Sequence, residues 1–260
     1  MKRALIIPFY NFEMGATQSL ERVSRWVKMQ GEATAIYLVD DGSTDGTAQI
    51  LRTFEREKGF VLVKGFEGSG KGAAVRAGFL RAADDGCEQI VFTDCDLHYG
   101  LEIISEKIFP ALELSDVVIV DRAWAARGQH PSWIRQISSG IFNRLVAILT
   151  GVAFKDTQAG LKGFRASPCL AIFRLLTIEG FTFDVEILSI ALFYRFRVHQ
   201  IPIIFSAGYE QPGASTVNLL KSSLDMFFDL LRVNINWKRG NYDDPILEKR
   251  VDQETYRIAP

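Results

Sequence analysis

Short apolar runs that each end in a polar or glycine-rich loop, with amphipathic stretches between them, constrain this chain's fold more than any other feature. Ala4 to Ile7 ends in Pro8-Phe9-Tyr10-Asn11, and Ile36 to Val39 runs into Asp40-Asp41-Gly42-Ser43-Thr44-Asp45-Gly46-Thr47. Phe60 to Val63 leads to the loop Gly65 to Gly72, and Ile90-Val91-Phe92 leads to Thr93-Asp94-Cys95-Asp96-Leu97-His98. Such runs are short, β-branched and bounded by turn residues, so they read as buried strands. The intervening stretches repeat apolar residues at helical spacing: Leu20, Val23 and Val27, then Ile50, Leu51 and Phe54, then Val75, Gly78, Phe79 and Ala82. Asp116 to Val120 supplies a further strand. Strand–helix alternation of this kind predicts an α/β chain with a single Rossmann-like, mostly parallel sheet and helices on both faces. Ligands of such sheets bind outside the strands' C-terminal ends, where the polar loops after the first, second and fourth strands fall.

Composition narrows the function classes. With 260 residues, 48% of them hydrophobic, the chain can bury one large core. A formal charge of −1 gives no global attraction for nucleic acid or anionic lipid. Cys87, Cys95 and Cys169 have neither C-x-x-C nor zinc-ligand spacing and read as reduced, buried thiols. The apolar run after Met1-Lys2-Arg3 is too short for a signal peptide, and no stretch approaches the ~18 apolar residues of a spanning helix. The expectation is a cytoplasmic protein, in solution or peripheral on the cytoplasmic face of a membrane.

The second half is less regular. Ile134 to Val152 reads as an amphipathic helix, Lys155 to Gly160 as a polar turn, and Leu161 to Arg165 as a strand. Phe181 to Glu186 leads into an apolar helix ending at Phe193, and Val198 to Phe205 reads as a last strand at a sheet edge, because Pro202 cannot donate to a ladder. Residues 1–205 thus form the expected catalytic unit, and 206–260 a C-terminal helix and tail beside it. The helix, from about Val217 to Trp237, carries an apolar face of Leu220, Leu224, Phe227, Phe228, Leu231 and Ile235. That face could pack on the core, form a homodimer or lie on a membrane.

Asp94 and Asp96, one residue apart at a strand end, suit a hard divalent cation whose shell is completed by phosphate oxygens. The loop Gly65 to Gly72 nearly fits the P-loop pattern, but Gly72 stands where Ser or Thr should reach Mg²⁺. Its glycines could instead let backbone N–H groups approach a phosphate, with Lys71 or Arg76 supplying charge.

Together, and in this order, Pro8-Phe9-Tyr10-Asn11, Val39 to Thr47, Gly70-Lys71-Gly72-Ala73-Ala74-Val75-Arg76-Ala77-Gly78 and Asp94-Cys95-Asp96 resemble the family 2 glycosyltransferases. Asp156 to Phe164, Phe183 to Leu188 and the Pro212-Gly213-Ala214-Ser215 turn resemble the dolichyl-phosphate glucosyltransferase branch, related to dolichyl-phosphate mannose synthase. The resemblance covers roughly residues 4 to 237 and implies an inverting enzyme of GT-A fold. The donor implied is a nucleotide-sugar, UDP-glucose in preference to GDP-mannose. The acceptor implied is a polyprenyl phosphate, reached peripherally or through a separate membrane subunit.

The resemblance also implies residue roles. Pro8, Tyr10, Asp40, Asp41, Gly42 and Ser43 would hold the nucleoside, and Lys71 the phosphates. Asp94 and Asp96 would hold Mg²⁺ or Mn²⁺, with His98 either a third ligand or a lining of the cleft. Phe12 is inserted before Glu13, which breaks the relatives' pattern for a ribose-binding acid. Arg122, Arg135 and Ser139 match acceptor-phosphate positions, and Gln158 lies on the acceptor side within reach of the transferred sugar. An anionic phosphate needs no general base. A hydroxyl acceptor does, and Asp156 and Asp184 are then the candidates. A sugar-nucleotide-binding protein without transferase activity is the alternative of a different class.

Overall fold

The computed structural model describes residues 1–30, 34–65, 69–123, 144–154, 156–204 and 219–258; for 122, 123, 204, 219–223 and 252–258 it describes the backbone alone. Arg135, Ser139, the Arg122 side chain, the Pro212–Ser215 turn and most of the helix expected from Ile134 therefore lie outside what can be placed. Residues 144–150 are helical.

The expected alternation is present. Strands β1 (Arg3–Phe9), β2 (Thr34–Asp40), β3 (Val61–Lys64) and β4 (Gln89–Thr93) are separated by helices α1 (Glu13–Gln30), α2 (Thr47–Lys58) and α3 (Lys71–Asp84). A π-helical turn, Ile104–Ile108, runs into Phe109–Ala111 before β5 (Val117–Ala123). Then come β6 (Leu161–Arg165), α4 (Ala166–Leu175), α5 (Phe183–Phe193), β7 (Val198–Ile204), α6 (Leu219–Lys238) and α7 (Pro245–Ile258).

The strands form a seven-stranded sheet in the order β3-β2-β1-β4-β6-β5-β7. β6 runs antiparallel to both β4 and β5, while the other pairings are parallel. One reversed strand thus sits inside an otherwise parallel sheet. β7 takes the edge that Pro202 requires.

Period-2 alternation sorts the core into two layers. Ala4, Ile6, Tyr37, Val39, Ile90 and Phe92 face α3, α4, α5 and part of α6. Leu5, Ile7, Phe9, Ile36, Leu38 and Val91 face α1, α2 and the π-turn. α1 begins at Glu13, two turns ahead of Leu20, and buries Trp26 beside Leu20 and Val23.

α6 corrects one expectation. Its buried stripe is Leu230, Val233 and Asn236, with the Trp237 indole donating to Ser189 Oγ at 2.7 Å. Leu224, Phe227, Phe228 and Ile235, the face read as apolar from periodicity, are exposed. The tail is also anchored. Tyr242 and Leu247 are buried in the shared core, and Tyr242 donates to Glu186 Oε1 at 2.6 Å. Glu186 accepts from the Thr177 and Ile178 backbone as well, which pins the segment leading into α5.

Candidate active site

The chain winds outward from β1 through β2 to β3, then returns to place β4 on the other side of β1. That reversal opens a crevice at the C-terminal ends of β1 and β4, where Pro8, Tyr10, Asp94 and Asp96 sit.

On the β1–β2 side, the loops are stitched to each other. Asn11, at φ 47°, accepts from the Thr44 N–H at 2.8 Å, and its own N–H donates to Ser43 Oγ. Phe12 N–H donates to Thr47 Oγ1, and Glu13 Oε2 accepts from Gly46 N–H at 3.1 Å. Glu13 therefore braces the second loop from α1. Tyr10 is exposed at the rim. Asp40 accepts from Ser43 N–H, and Gly42 takes the left-handed backbone (φ 79°) that lets the loop turn there. Asp41 is buried and holds the next loop, accepting from Ser69 Oγ at 3.1 Å and Gly70 N–H at 3.0 Å. Burial raises its carboxyl above the ordinary value against those hydrogen bonds.

The glycine-rich loop is built for packing. Gly72 and Ala73 N–H groups both donate to Glu179 O, at 2.7 and 3.2 Å, and the Gly70 N–H is taken by Asp41. A Cβ on Gly72 would lie 2.7 Å from Phe183 Cβ and 2.8 Å from Ile178 O. Gly70 and Gly72 make room for the 178–183 segment, and the N–H groups of Gly70, Gly72 and Ala73 are already engaged. Arg76 likewise turns away from the crevice, donating to the carbonyls of Phe173 (2.9 Å) and Arg174 (3.0 Å) at the end of α4. Lys71 alone of that loop's cations reaches the expected place: its Nζ lies 2.6 Å from Asp94 Oδ1. Burial would lower its pKa, but the Asp94 charge carries it above the ordinary value, so it stays an ammonium.

Asp94 is held from behind by Gly160. Asp94 N–H donates to Gly160 O, Gly160 N–H donates to Tyr99 Oη at 2.9 Å, and a Cβ on Gly160 would fall 1.7 Å from Asp94 Oδ2. Asp96 lies at the rim, with its Oδ1 accepting from His98 N–H at 3.1 Å. Desolvation in the crevice and then the Asp94 charge raise its carboxyl. Cys95, between them, is pushed up to about 12 by burial and the two flanking carboxylates, and is a neutral thiol. The His98 ring packs edge-on to Tyr99, and among the described residues no three His, Cys, Asp or Glu side chains converge as a metal cluster. The donor set that fits a hard cation is the carboxylate pair, currently balanced by the Lys71 ammonium, with oxygens of a bound diphosphate to complete the shell.

Beneath the crevice lies a pair that the sequence reading did not isolate. Lys162, on β6, is fully buried, with its Nζ 2.9 Å from Asp184 Oδ1 and 2.6 Å from Ala159 O. The Phe92 ring lies beside both this pair and Lys71; the two ammonium groups lie 5.6 and 5.9 Å from its centroid. Burial pushes Asp184 up and Lys162 down, each opposed by the other's charge. A lysine within the apolar strand Leu161-Lys162-Gly163-Phe164 was the available signal. Asp184 is only 2% exposed, whereas Asp156 is half-buried in the 156–160 loop. In that loop Gln158 Nε2 and Thr157 Oγ1 are buried with no hydrogen-bond partner among the described residues.

A GT-A sheet with a strand-end Asp-x-Asp at its switch point defines a class, the GT-A glycosyltransferases. The structure superposes on glucosyl-3-phosphoglycerate synthase from Mycobacterium tuberculosis, solved with Mn²⁺, UDP-glucose and phosphoglyceric acid. The TM-score is 0.61 over 94% of this chain and 80% of that one, at 16% identity. The chain belongs to glycosyl transferase family 2, whose family model matches residues 4–176. It is 31% identical to a dolichyl-phosphate beta-glucosyltransferase of Saccharomyces cerevisiae, over 93% of this chain and 76% of that protein. It is 30% identical to an undecaprenyl-phosphate 4-deoxy-4-formamido-L-arabinose transferase of Aeromonas hydrophila, over 62% of this chain and 48% of that protein.

Proposed function

We propose that this glycosyltransferase moves glucose from UDP-glucose to a polyprenyl phosphate, with inversion and with a divalent metal on Asp94 and Asp96. The observation that supports the acceptor assignment is that Asp184, the buried one of the two candidate bases, is engaged by Lys162 at 2.9 Å, which leaves the half-buried Asp156 as the base a hydroxyl acceptor would have to use. A hydroxyl acceptor needs a free base; a phosphate acceptor arrives anionic, with a second pKa of about 6 by analogy with phosphorylated side chains. The relatives named for dolichyl and undecaprenyl phosphate support the same acceptor class.

The chain's own residues do the rest. Pro8, Tyr10, Asp40, Gly42 and Ser43 line the nucleoside end, and Asp41 keeps Ser69 and Gly70 in place beside it. When bound, Mg²⁺ or Mn²⁺ supplies Lewis-acid neutralisation of the departing diphosphate. Lys71 sits against Asp94 and adds fixed positive charge at the phosphates. Gln158 Nε2 is a buried donor that a sugar hydroxyl would satisfy. Arg122, Arg135 and Ser139 are assigned to the acceptor phosphate. The exposed Leu224, Phe227 and Phe228 of α6 are assigned to peripheral contact with the membrane that carries it, since no helix among the described residues is long and apolar enough to cross one.

Equilibrium binding of UDP-glucose, UDP-N-acetylglucosamine and GDP-mannose, with Mn²⁺ or with EDTA, tests the donor assignment. UDP-glucose is expected to bind tightest, to require metal, and to lose that requirement together with its affinity in Asp96→Ala. Preference for GDP-mannose, or binding indifferent to metal, would overturn it.

A further inference from the structure

Gly160 has to be a glycine, and is for that reason the residue least able to hold its own backbone. Asp94 Oδ2 occupies the place that a Cβ on Gly160 would take. The Gly160 carbonyl accepts from the Asp94 N–H at 3.1 Å, which extends the antiparallel pairing of Thr93 with Leu161 by one residue. Asp94 is thus registered, through backbone and side chain, against a single residue just before β6. A glycine has a wide choice of backbone conformations, so by itself it would let the peptide unit that precedes it turn.

That peptide unit is held at both ends. Its carbonyl, on Ala159, accepts from Lys162 Nζ at 2.6 Å, and its N–H, on Gly160, donates to Tyr99 Oη at 2.9 Å. The two holders reach it from opposite faces of the sheet. Lys162 stands opposite Phe92 in the β4–β6 register, so it points with Phe92 into the layer of α5, where its Nζ lies 2.9 Å from Asp184 Oδ1. Tyr99 packs in the other layer, with Leu97, Leu161 and Ala159. Ala159 and Lys162 are fully buried and Tyr99 is 7% exposed, so a turned peptide would leave a carbonyl and an N–H out of water without partners.

We propose that Lys162 and Tyr99 are positioning residues for the metal-binding carboxylate: together they fix the Ala159–Gly160 peptide, which sets where Asp94 presents its oxygens. Asp184 acts one step further back, by fixing Lys162. The assignment rests on the reading of Asp94 and Asp96 as the metal site, and it gives the buried Lys162–Asp184 pair a part in the reaction other than that of a base. Groups that orient a metal ligand are commonly worth about 10–100-fold in metal affinity.

The test measures metal affinity on the full chain. Mn²⁺ is titrated in the presence of UDP, with bound metal read by electron paramagnetic resonance against a protein-free control. UDP is then titrated by calorimetry at saturating Mn²⁺. The comparison is between wild type, Tyr99→Phe, Lys162→Met/Asp184→Leu and Asp96→Ala, with the unliganded Tm reporting folding. Tyr99→Phe keeps the ring and removes only the acceptor of the Gly160 N–H. The double variant replaces the buried pair by apolar side chains and removes the donor to Ala159 O. Both should bind Mn²⁺ about tenfold or more weakly, while UDP affinity at saturating Mn²⁺ stays within about twofold of wild type. A merely structural role would not split the two affinities. Wild-type Mn²⁺ affinity in either variant, or an equal loss of UDP affinity at saturating Mn²⁺, would overturn the proposal. Asp96→Ala separates this failure from that of the metal reading: if it binds Mn²⁺ as wild type does, the metal site itself is misassigned and the positioning role falls with it.

Discussion

Replacing Lys162 by Met probes the layer beneath the crevice, and its cost can be worked from the contacts. Lys162 is fully buried, pairs with Asp184 at 2.9 Å and donates to Ala159 O at 2.6 Å. Met conserves much of the volume but leaves a buried carboxylate without its partner and a carbonyl without its donor. Breaking a buried pair from one side costs about 3–5 kcal/mol. At about 2–4 °C per kcal/mol for a chain of this size, the Tm should fall by about 6–20 °C. The pH dependence has a definite sign. Without Lys162, the carboxyl of Asp184, already raised by burial, rises further. The folded state then holds a proton that the unfolded state has released, so the variant's stability declines as pH climbs from the ordinary carboxylate value through the folded one. The deficit relative to wild type should therefore shrink in acid. Urea unfolding at a series of pH values measures this, and Lys162→Met/Asp184→Leu should recover most of the loss, because an apolar pair of similar volume is tolerated where a lone charge is not. A single-variant cost below about 1 kcal/mol, or a double variant no better than the single, would refute the assignment of the pair as a mutually dependent support.

Gly160→Ala should displace Asp94, since its Cβ would fall 1.7 Å from Oδ2; Mn²⁺-dependent donor binding should drop by more than tenfold, read by calorimetry. Gly72→Ser, which completes the P-loop pattern, should destabilise by about 1–3 kcal/mol through contact with Phe183 and Ile178, and a phosphate-release assay should find no ATP hydrolysis. Arg76→Ala should cost about 1–3 kcal/mol in urea unfolding, through its two lost carbonyl partners, while leaving donor affinity unchanged. Asp116 is a depressed carboxyl: burial opposes its charge, but Arg197 and Arg250 outweigh burial. It stabilises above its unfolded value near 4 and ceases to as pH falls through the folded one. Acid unfolding should therefore begin at higher pH, and from a lower Tm, in Asp116→Asn than would follow from losing an exposed acid.

The strand ends were legible because each apolar run is followed at once by turn residues, which locates Pro8, Asp40, Asp94 and the start of α3 without any long-range information. What was not legible depends on partners distant in the chain. The direction of β6 follows from its insertion between β4 and β5, which no local pattern of Leu161 to Arg165 encodes. The glycines of the Lys71 loop look the same whether they admit a phosphate or the Glu179 carbonyl. Lys162 reads locally as a surface lysine until Asp184 is brought against it from α5. α4 follows β6 with no intervening loop residue, so it carries no turn signal. The stripe that buries α6 is narrow, and the broader apolar face that dominates its periodicity points outward. The polar tail hides α7 because its ties to the core, among the described residues, are scattered ones: Tyr242, Leu247, Val251 and the Arg250 contact.

Lipid-dependent release of UDP from UDP-glucose, with Mn²⁺ and a short polyprenyl phosphate, tests the central claim most directly when the glucosyl-lipid product is followed in the same reaction. The account predicts that UDP and glucosyl lipid appear together only when the lipid phosphate is present. Both should vanish in Asp96→Ala, and both should survive, at reduced rate, in Asp156→Asn. UDP release that ignores the lipid phosphate, or that requires a sugar hydroxyl and disappears in Asp156→Asn or Asp184→Asn while donor binding persists, would contradict it.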